Sequence, residues 1–316
     1  MNMPTMTDTR SILPKVVPSP QGGELATLAP RFSLVVPCFN EEHAIAGTVD
    51  ELLATLQSVG PWEIVIVNDG STDGTAAVLE QLAVSEPGLR IVHHSRNKGY
   101  GAALKTGIRH ATSELIVITD ADGTYPNHRI GELVELTREA DMVVGARVGA
   151  DVKYPLIRKI PKVFMRAYAE WIAEQDIPDL NSGMRAFRRP VVERFLNILP
   201  NGFSFTTTIT LAMLTNSYTV RYMPISYAPR IGKSKIKPVQ DTLRFFQLIL
   251  RTGMYFAPLR IYAPILVTVL LAFLGSLAYD VFVLRDLTEK TLLLMVLLLN
   301  SGMFALLADM IDKRSS

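Results

Sequence analysis

Two stretches near the C-terminus, Ile261–Leu284 and Thr291–Ile311, are apolar on every face. The first is broken only by Pro264, Thr268, Gly275, Ser276 and Asp280, and the second chiefly by Asn300, Ser301, Gly302 and Asp309. A helix needs about 20 apolar residues to cross a bilayer core, so each stretch is long enough. A helix apolar on every face is either a buried core helix of a large soluble domain or a membrane span, and this pair reads as spans. The polar turn Arg285–Lys290 (RDLTEK) between them makes the pair a helical hairpin. Basic residues set its orientation. Arg230, Lys233, Lys235, Lys237, Arg244, Arg251 and Arg260 precede the first stretch, Lys313 and Arg314 follow the second, and only Arg285 and Lys290 lie in the turn. The positive-inside rule then puts the large N-terminal part and the tail in the cytoplasm, on an inner or plasma membrane.

The hairpin also explains a composition that is 48% hydrophobic over 316 residues. Without it the chain is about as apolar as an ordinary globular protein. Such a chain buries a sizeable core and is not a disordered tail. Cys38 is the only cysteine, which excludes a disulfide scaffold and suits a reducing cytosol. A net charge of +2 gives no field that would attract nucleic acid. Residues 1–30 lack an apolar core of signal-peptide length and are expected to be a flexible leader. Gln240–Phe256 sets Leu243, Phe246, Leu250 and Met254 along one helical face, with Arg244 and Arg251 off it. That is the pattern of an amphipathic helix in the membrane interface. The expected organisation is a leader over 1–30, a soluble domain over 31–238, a juxtamembrane helix over 239–258, and the hairpin with its tail over 259–316.

The soluble part alternates β-rich runs with helical stretches. The runs are Phe32–Val36, Glu63–Val67, Arg90–His93, Leu115–Thr119 and Met142–Val144. Between them lie Glu41–Ser58, Gly74–Ser85, Gly99–Ala111 and Asn127–Ala140. This order predicts an α/β fold with a mainly parallel sheet covered on both faces. Ligands of such sheets bind beyond the carboxyl ends of the strands. Three acidic loops fall there: Pro37–Glu42 (PCFNEE), Asn68–Gly74 (NDGSTDG) and Asp120–Pro126 (DADGTYP). Gathered at one edge they would repel one another unless a cation or a donor-rich ligand stood among them. Asp120 and Asp122, two apart at a strand end, can address one site once the strand gives way to a turn. Their hard oxygens suit Mg²⁺ or Mn²⁺ shared with phosphate.

Three other patterns fail. Gly99-Tyr100-Gly101 starts like a dinucleotide fingerprint, but Leu104 stands where the third glycine belongs. Gly232-Lys233-Ser234 ends like a phosphate loop, but Tyr227 stands where its first glycine belongs. His93-His94 has no metal-ligand spacing and is expected to be structural or exposed.

The motifs VVPCFNEE (Val35–Glu42), IVIVNDGSTDGT (Ile64–Thr75), NKGYGAALKTGI (Asn97–Ile108) and ITDADGTYP (Ile118–Pro126) occur in sequence. VVGAR (Val143–Arg147), DLNSGMRAFRR (Asp179–Arg189) and RIGKSKI (Arg230–Ile236) follow. In this order they resemble glycosyltransferase family 2 in its GT-A, Rossmann-like fold. With the hairpin they are similar to the polyprenyl-phosphate hexose synthases, such as dolichol-phosphate mannose synthase and bactoprenol glucosyltransferase.

The resemblance implies that Pro37, Glu41 and Asp69 hold the nucleoside of a sugar nucleotide. Asp120 would contact the nucleotide and help set the metal, and Asp122 would ligate it. Family members often carry glutamine where this chain has Thr124, so the third metal ligand stays open. Arg147, Arg185, Arg230 and Lys235, with Arg158 as a weaker member, would be the cationic set around the donor and acceptor phosphates. The implied partners are UDP-hexose or GDP-mannose and a polyprenyl phosphate, with homo-oligomerisation left open. Val152–Glu174, where basic and apolar residues mix, is expected to border the lipid's access route. A phosphate acceptor is largely a dianion near neutral pH and needs no protein base, in keeping with the lack of an obvious catalytic His or Glu. Transfer to another lipid alcohol would need such a base. A polysaccharide synthase would carry a Q-x-x-R-W signature that neither Trp62 nor Trp171 matches. A tethered sugar-nucleotide sensor would have no need of Asp122.

Overall fold

A computed structural model describes residues 31–86, 88–147, 166–228, 247, 250–251, 253–255 and 257–315. These fall into two compact units. The first holds a seven-stranded sheet. Its strands are β1 (Phe32–Cys38), β2 (Trp62–Asn68), β3 (Leu89–His93), β4 (Leu115–Ile118), β5 (Met142–Arg147), β6 (Arg185–Arg188) and β7 (Val220–Ile225), in the order β3-β2-β1-β4-β6-β5-β7. Neighbours pair in parallel except β6, which runs against both β4 and β5. Every residue of β1 is buried, as expected of a strand covered on both faces.

The helices of this part are α1 (Ile45–Leu56), α2 (Thr75–Ser85), α3 (Tyr100–His110) and α4 (Ile130–Leu136), followed after the sixth strand by α5 (Arg189–Phe195) and by α6 (Phe205–Thr215), whose residues from Thr210 belong to the second unit. The helix α3 lies so close to the sheet that a side chain at Gly107 would collide with Val35. The chain builds outward from β1 through β2 to β3, then returns to place β4 on the other side of β1. The carboxyl ends of β1 and β4 therefore diverge, which makes the crevice where doubly wound sheets bind ligands.

Two helices begin later than their sequence patterns suggest. The first starts at Ile45 rather than Glu41, because residues 40–42 are tied sideways to the next loop. The fourth opens with a 3-10 turn, Asn127–Arg129, and stops at Leu136, where the Thr137 hydroxyl bonds back to the Val134 carbonyl at 2.6 Å.

The second unit contains helical residues 166–173, α7 (Pro258–Tyr279) and α8 (Glu289–Ser315). A π-helical turn, Asp280–Leu284, extends α7. The apolar stretches Pro258–Leu284 and Glu289–Ile311 run 27 and 23 residues, with only 11% of the most apolar part of each buried. At 1.5 Å per residue both exceed the ~30 Å of a bilayer's hydrocarbon core. They are long and apolar enough to cross a membrane. Ser276 and Thr291 hydroxyls meet at 2.5 Å between them, and Asp280 accepts the Thr288 N–H and hydroxyl at 2.8 and 2.7 Å. Arg260 pairs with Glu174 at 2.9 Å and donates to the Ile172 carbonyl. The leader lies outside the described residues. So does most of the amphipathic segment, whose described members 247, 250–251 and 253–255 are helical.

Candidate active site

The loops after β1 and β2 are stitched together by their own polar groups. Asn40, in the left-handed region at φ 54°, donates its N–H to Ser71 Oγ at 3.0 Å and accepts the Thr72 N–H at 2.8 Å. The Glu41 N–H donates to Thr75 Oγ1 at 2.9 Å, and Glu42 Oε2 accepts the Gly74 N–H at 2.6 Å. Asp73 accepts the Thr75 hydroxyl and N–H. Burial opposes its charge, but the Thr75 donors outweigh burial and hold the carboxyl below its ordinary range.

Asp69 is buried and committed inward. One oxygen pairs with His94 Nδ1 at 2.6 Å and accepts the Lys98 N–H at 2.9 Å; the other accepts the Gly99 N–H at 2.8 Å. His94 also meets Thr106 Oγ1 at 2.9 Å, so this histidine is structural. Glu42, Asp69 and Asp73 each accept hydrogen bonds from protein donors. Asp69 has little open surface and anchors the start of α3. Pro37 is buried within β1, and Glu41 is half-buried beside the stitched loops.

The third acidic loop is arranged differently. Asp122 is buried, and one of its oxygens accepts the Thr124 hydroxyl at 2.7 Å and its N–H at 3.2 Å. Gly123 sits between them at φ +67°, a turn that disfavours any side chain. Thr48 of α1 donates to the Ala121 carbonyl at 3.1 Å. Asp120 is half-buried and accepts the Tyr100 hydroxyl at 2.9 Å. Gly183 lies against it, where an added methyl would stand 2.9 Å from both carboxylate oxygens. The Gly183 N–H donates to the Tyr125 hydroxyl at 2.6 Å. Burial pushes the phenols of both Tyr100 and Tyr125 up, so both stay protonated.

Arg147, at the end of β5, is bound by Asp179 through Nε and Nη2 at 2.7 and 2.9 Å. Its guanidinium lies 5.2 Å over the Tyr227 ring, which meets Tyr125 edge-on. Arg185 is 0% exposed and donates to the carbonyls of Ser182 and Thr206 at 3.1 Å each. These bonds brace the start of β6 behind the acidic turn. Burial pulls its pKa down, and Tyr100 is the largest influence in the other direction.

Arg230, Lys235 and Arg158 lie outside the described residues, as does most of Val152–Glu174. The chain is described up to Ala228, whose N–H donates to the Thr124 carbonyl at 2.9 Å. Tyr100, Asp179, Gly183 and Tyr227 are the site residues that sequence reasoning passed over. All but Tyr227 stand inside or beside the quoted motifs, which was the available signal. Among the described residues no three His, Cys, Asp or Glu side chains gather as a metal cluster. Asp120 and Asp122 could still hold an ion completed by water and phosphate, as Mg²⁺ commonly is.

Residues 33–196 match the family described as Glycosyl transferase family 2. The chain is 29% identical over 229 residues to a polyprenol monophosphomannose synthase of Mycolicibacterium smegmatis, covering 68% of this chain and 85% of that protein. It is 32% identical over 168 residues to an undecaprenyl-phosphate 4-deoxy-4-formamido-L-arabinose transferase of Pectobacterium carotovorum, covering 52% of this chain but only 51% of that longer protein. A dolichyl-phosphate beta-glucosyltransferase of Trichomonas vaginalis is 31% identical over 224 residues, covering 65% of this chain and 66% of its own length. Among solved structures, glucosyl-3-phosphoglycerate synthase from Mycobacterium tuberculosis, in complex with Mn²⁺, UDP and glucosyl-3-phosphoglycerate, shares the fold. Its TM-score is 0.53 at 17% identity, over 71% of this chain and 80% of that one. With the family match covering more than half of its length, this chain belongs to glycosyltransferase family 2.

Proposed function

We propose that this enzyme moves a hexose from a nucleotide sugar to a polyprenyl phosphate at the cytoplasmic face of the membrane, inverting the anomeric carbon with the help of Mg²⁺ or Mn²⁺. UDP-hexose is the favoured donor and GDP-mannose the second. The observation that carries the reading is the turn Asp120–Thr124, two carboxylates braced where β1 and β4 diverge. The relatives named for polyprenol, undecaprenyl and dolichyl phosphates support the acceptor. The two long apolar helices support the membrane. Solved neighbours with UDP and Mn²⁺ or Mg²⁺ support the donor and the ion.

Asp120 and Asp122 would hold the divalent cation, whose contribution when bound is to offset the charge of the departing nucleoside diphosphate. Thr124 fixes one oxygen of Asp122 and so sets the direction of the carboxylate. Arg147, kept protonated and oriented by Asp179, contributes fixed positive charge on the same sheet edge. Arg230 and Lys235 are assigned to the phosphates. Ala228, two residues before Arg230, donates its N–H to the Thr124 carbonyl of the acidic turn. The acceptor phosphate, with a second pKa of ~6, attacks as a dianion and needs no base. Three nearby acids, Glu42, Asp69 and Asp73, accept hydrogen bonds from protein donors.

Membranes containing the protein, supplied with labelled sugar nucleotides and polyprenyl phosphate, should carry one label into lipid. Asp122→Asn should lower that transfer by about 10²–10³-fold. Label entering only water-soluble acceptors, never lipid, would sink the lipid acceptor.

A further inference from the structure

The segment Asn97–Gly101 (NKGYG) is not a dinucleotide loop, yet it joins the two acidic centres of the site. Its Lys98 and Gly99 N–H groups both end on Asp69. The very next residue, Tyr100, ends on Asp120. Its glycines serve packing against residues 200–202: a side chain at Gly99 or Gly101 would strike the Asn201 or Pro200 carbonyl, and Ala102 donates to Asn201 O at 3.0 Å. The Tyr100 ring is stacked on Phe203, centroids 5.4 Å apart and planes 18° from parallel. Gly183 closes the remaining side, where a methyl would lie 3.0 Å from the Tyr100 hydroxyl.

We infer that Tyr100 is a positioning residue. Its hydroxyl aims Asp120 at the metal, and through Lys98 and Gly99 it locks that carboxylate to the Asp69 loop as one frame. The inference rests on the proposed metal role of Asp120. Three constraints fix the hydroxyl: the helix start clamped by Asp69, the stack on Phe203, and the absence of a side chain at Gly183. A donor held this rigidly selects one orientation of the carboxylate before any ion arrives. Groups that orient metal ligands in this way typically contribute 10–100-fold in affinity.

The test is Mn²⁺ binding alone, read by electron paramagnetic resonance on the full-length protein in detergent, with no transfer assay involved. Tyr100→Phe keeps the ring and its stack but removes the donor, and Asp120→Asn is the reference. Tyr100→Phe should bind Mn²⁺ about tenfold more weakly while melting within a few degrees of the parent. Phe203→Leu, which keeps the hydroxyl but loosens the ring, should weaken binding less. Unchanged Mn²⁺ affinity in Tyr100→Phe, with binding lost in Asp120→Asn, overturns the inference alone. Unchanged affinity in both variants overturns the metal reading and the inference with it. Loss of binding only alongside loss of folding, seen by circular dichroism, reduces Tyr100 to a structural role and also overturns it.

Discussion

Asp179 receives Arg147 three times: from Nε at 2.7 Å, from Nη2 at 2.9 Å and from the backbone N–H at 3.1 Å. Burial pushes the Asp179 carboxyl up, but the Arg147 hydrogen bonds and charge outweigh it and hold the group below its ordinary 3.8. A depressed carboxyl stabilises the fold fully above its unfolded pKa and loses that contribution as pH falls through the folded value. Asp179→Asn should therefore lower stability by about 2–4 kcal/mol at pH 7 and flatten the acid limb of the unfolding profile below about pH 4. Arg147→Lys, which cannot make the fork, should recover little activity. Chemical denaturation at pH 3 to 7 checks the first, and transfer assays the second.

Gly183→Ala tests how closely Asp120 is packed. The new methyl would meet both carboxylate oxygens at 2.9 Å, so the acid must shift. Such overpacking costs about 1–3 kcal/mol. Transfer should fall by about 10- to 100-fold, with Mn²⁺ affinity falling alongside.

Asp122→Asn preserves an acceptor for the Thr124 hydroxyl and should leave the fold intact. Removing the charge should lower kcat by about 10²–10³-fold, as for other groups that stabilise developing charge. Thr124→Val, which removes the strut but keeps the shape, should show a smaller loss, about tenfold. Single-turnover rates with saturating donor separate the two.

The hairpin has its own lock. Asp280 is nearly fully buried and accepts two bonds from Thr288. Asp280→Ala leaves those donors unmatched and should destabilise the pair by about 1–3 kcal/mol. Faster heat inactivation in detergent, with unchanged sugar-nucleotide binding, is the expected signature.

Much of the frame was legible because it rests on side-chain pattern. The strands β1 to β5 are apolar runs closed by turn residues, and α7 and α8 are too long and too apolar to be mistaken. The strand β6 was hidden, since four residues, RAFR, with arginine at both ends do not read as a strand. The strand β7 carries Pro224 and an exposed Arg221, which its place at the sheet edge tolerates.

The site was legible in part. Asp120 and Asp122 announce themselves as spaced carboxylates. What escaped notice is bonding to backbone N–H groups, which carry no residue signature. The ties of Asp69 to Lys98 and Gly99 span 29 and 30 residues. The bonds of Arg185 were hidden for a related reason: they end on backbone carbonyls inside the fold.

The antiparallel strand β6 begins opposite Val144, near the end of β5, with Val144 paired to Arg185. Ile118, the last residue of β4, is paired to the same Arg185, so one backbone position ties the strand that leads into the acidic turn to the strand that ends on Arg147. A shift of register at that one residue would move the carboxylates and the guanidinium relative to each other.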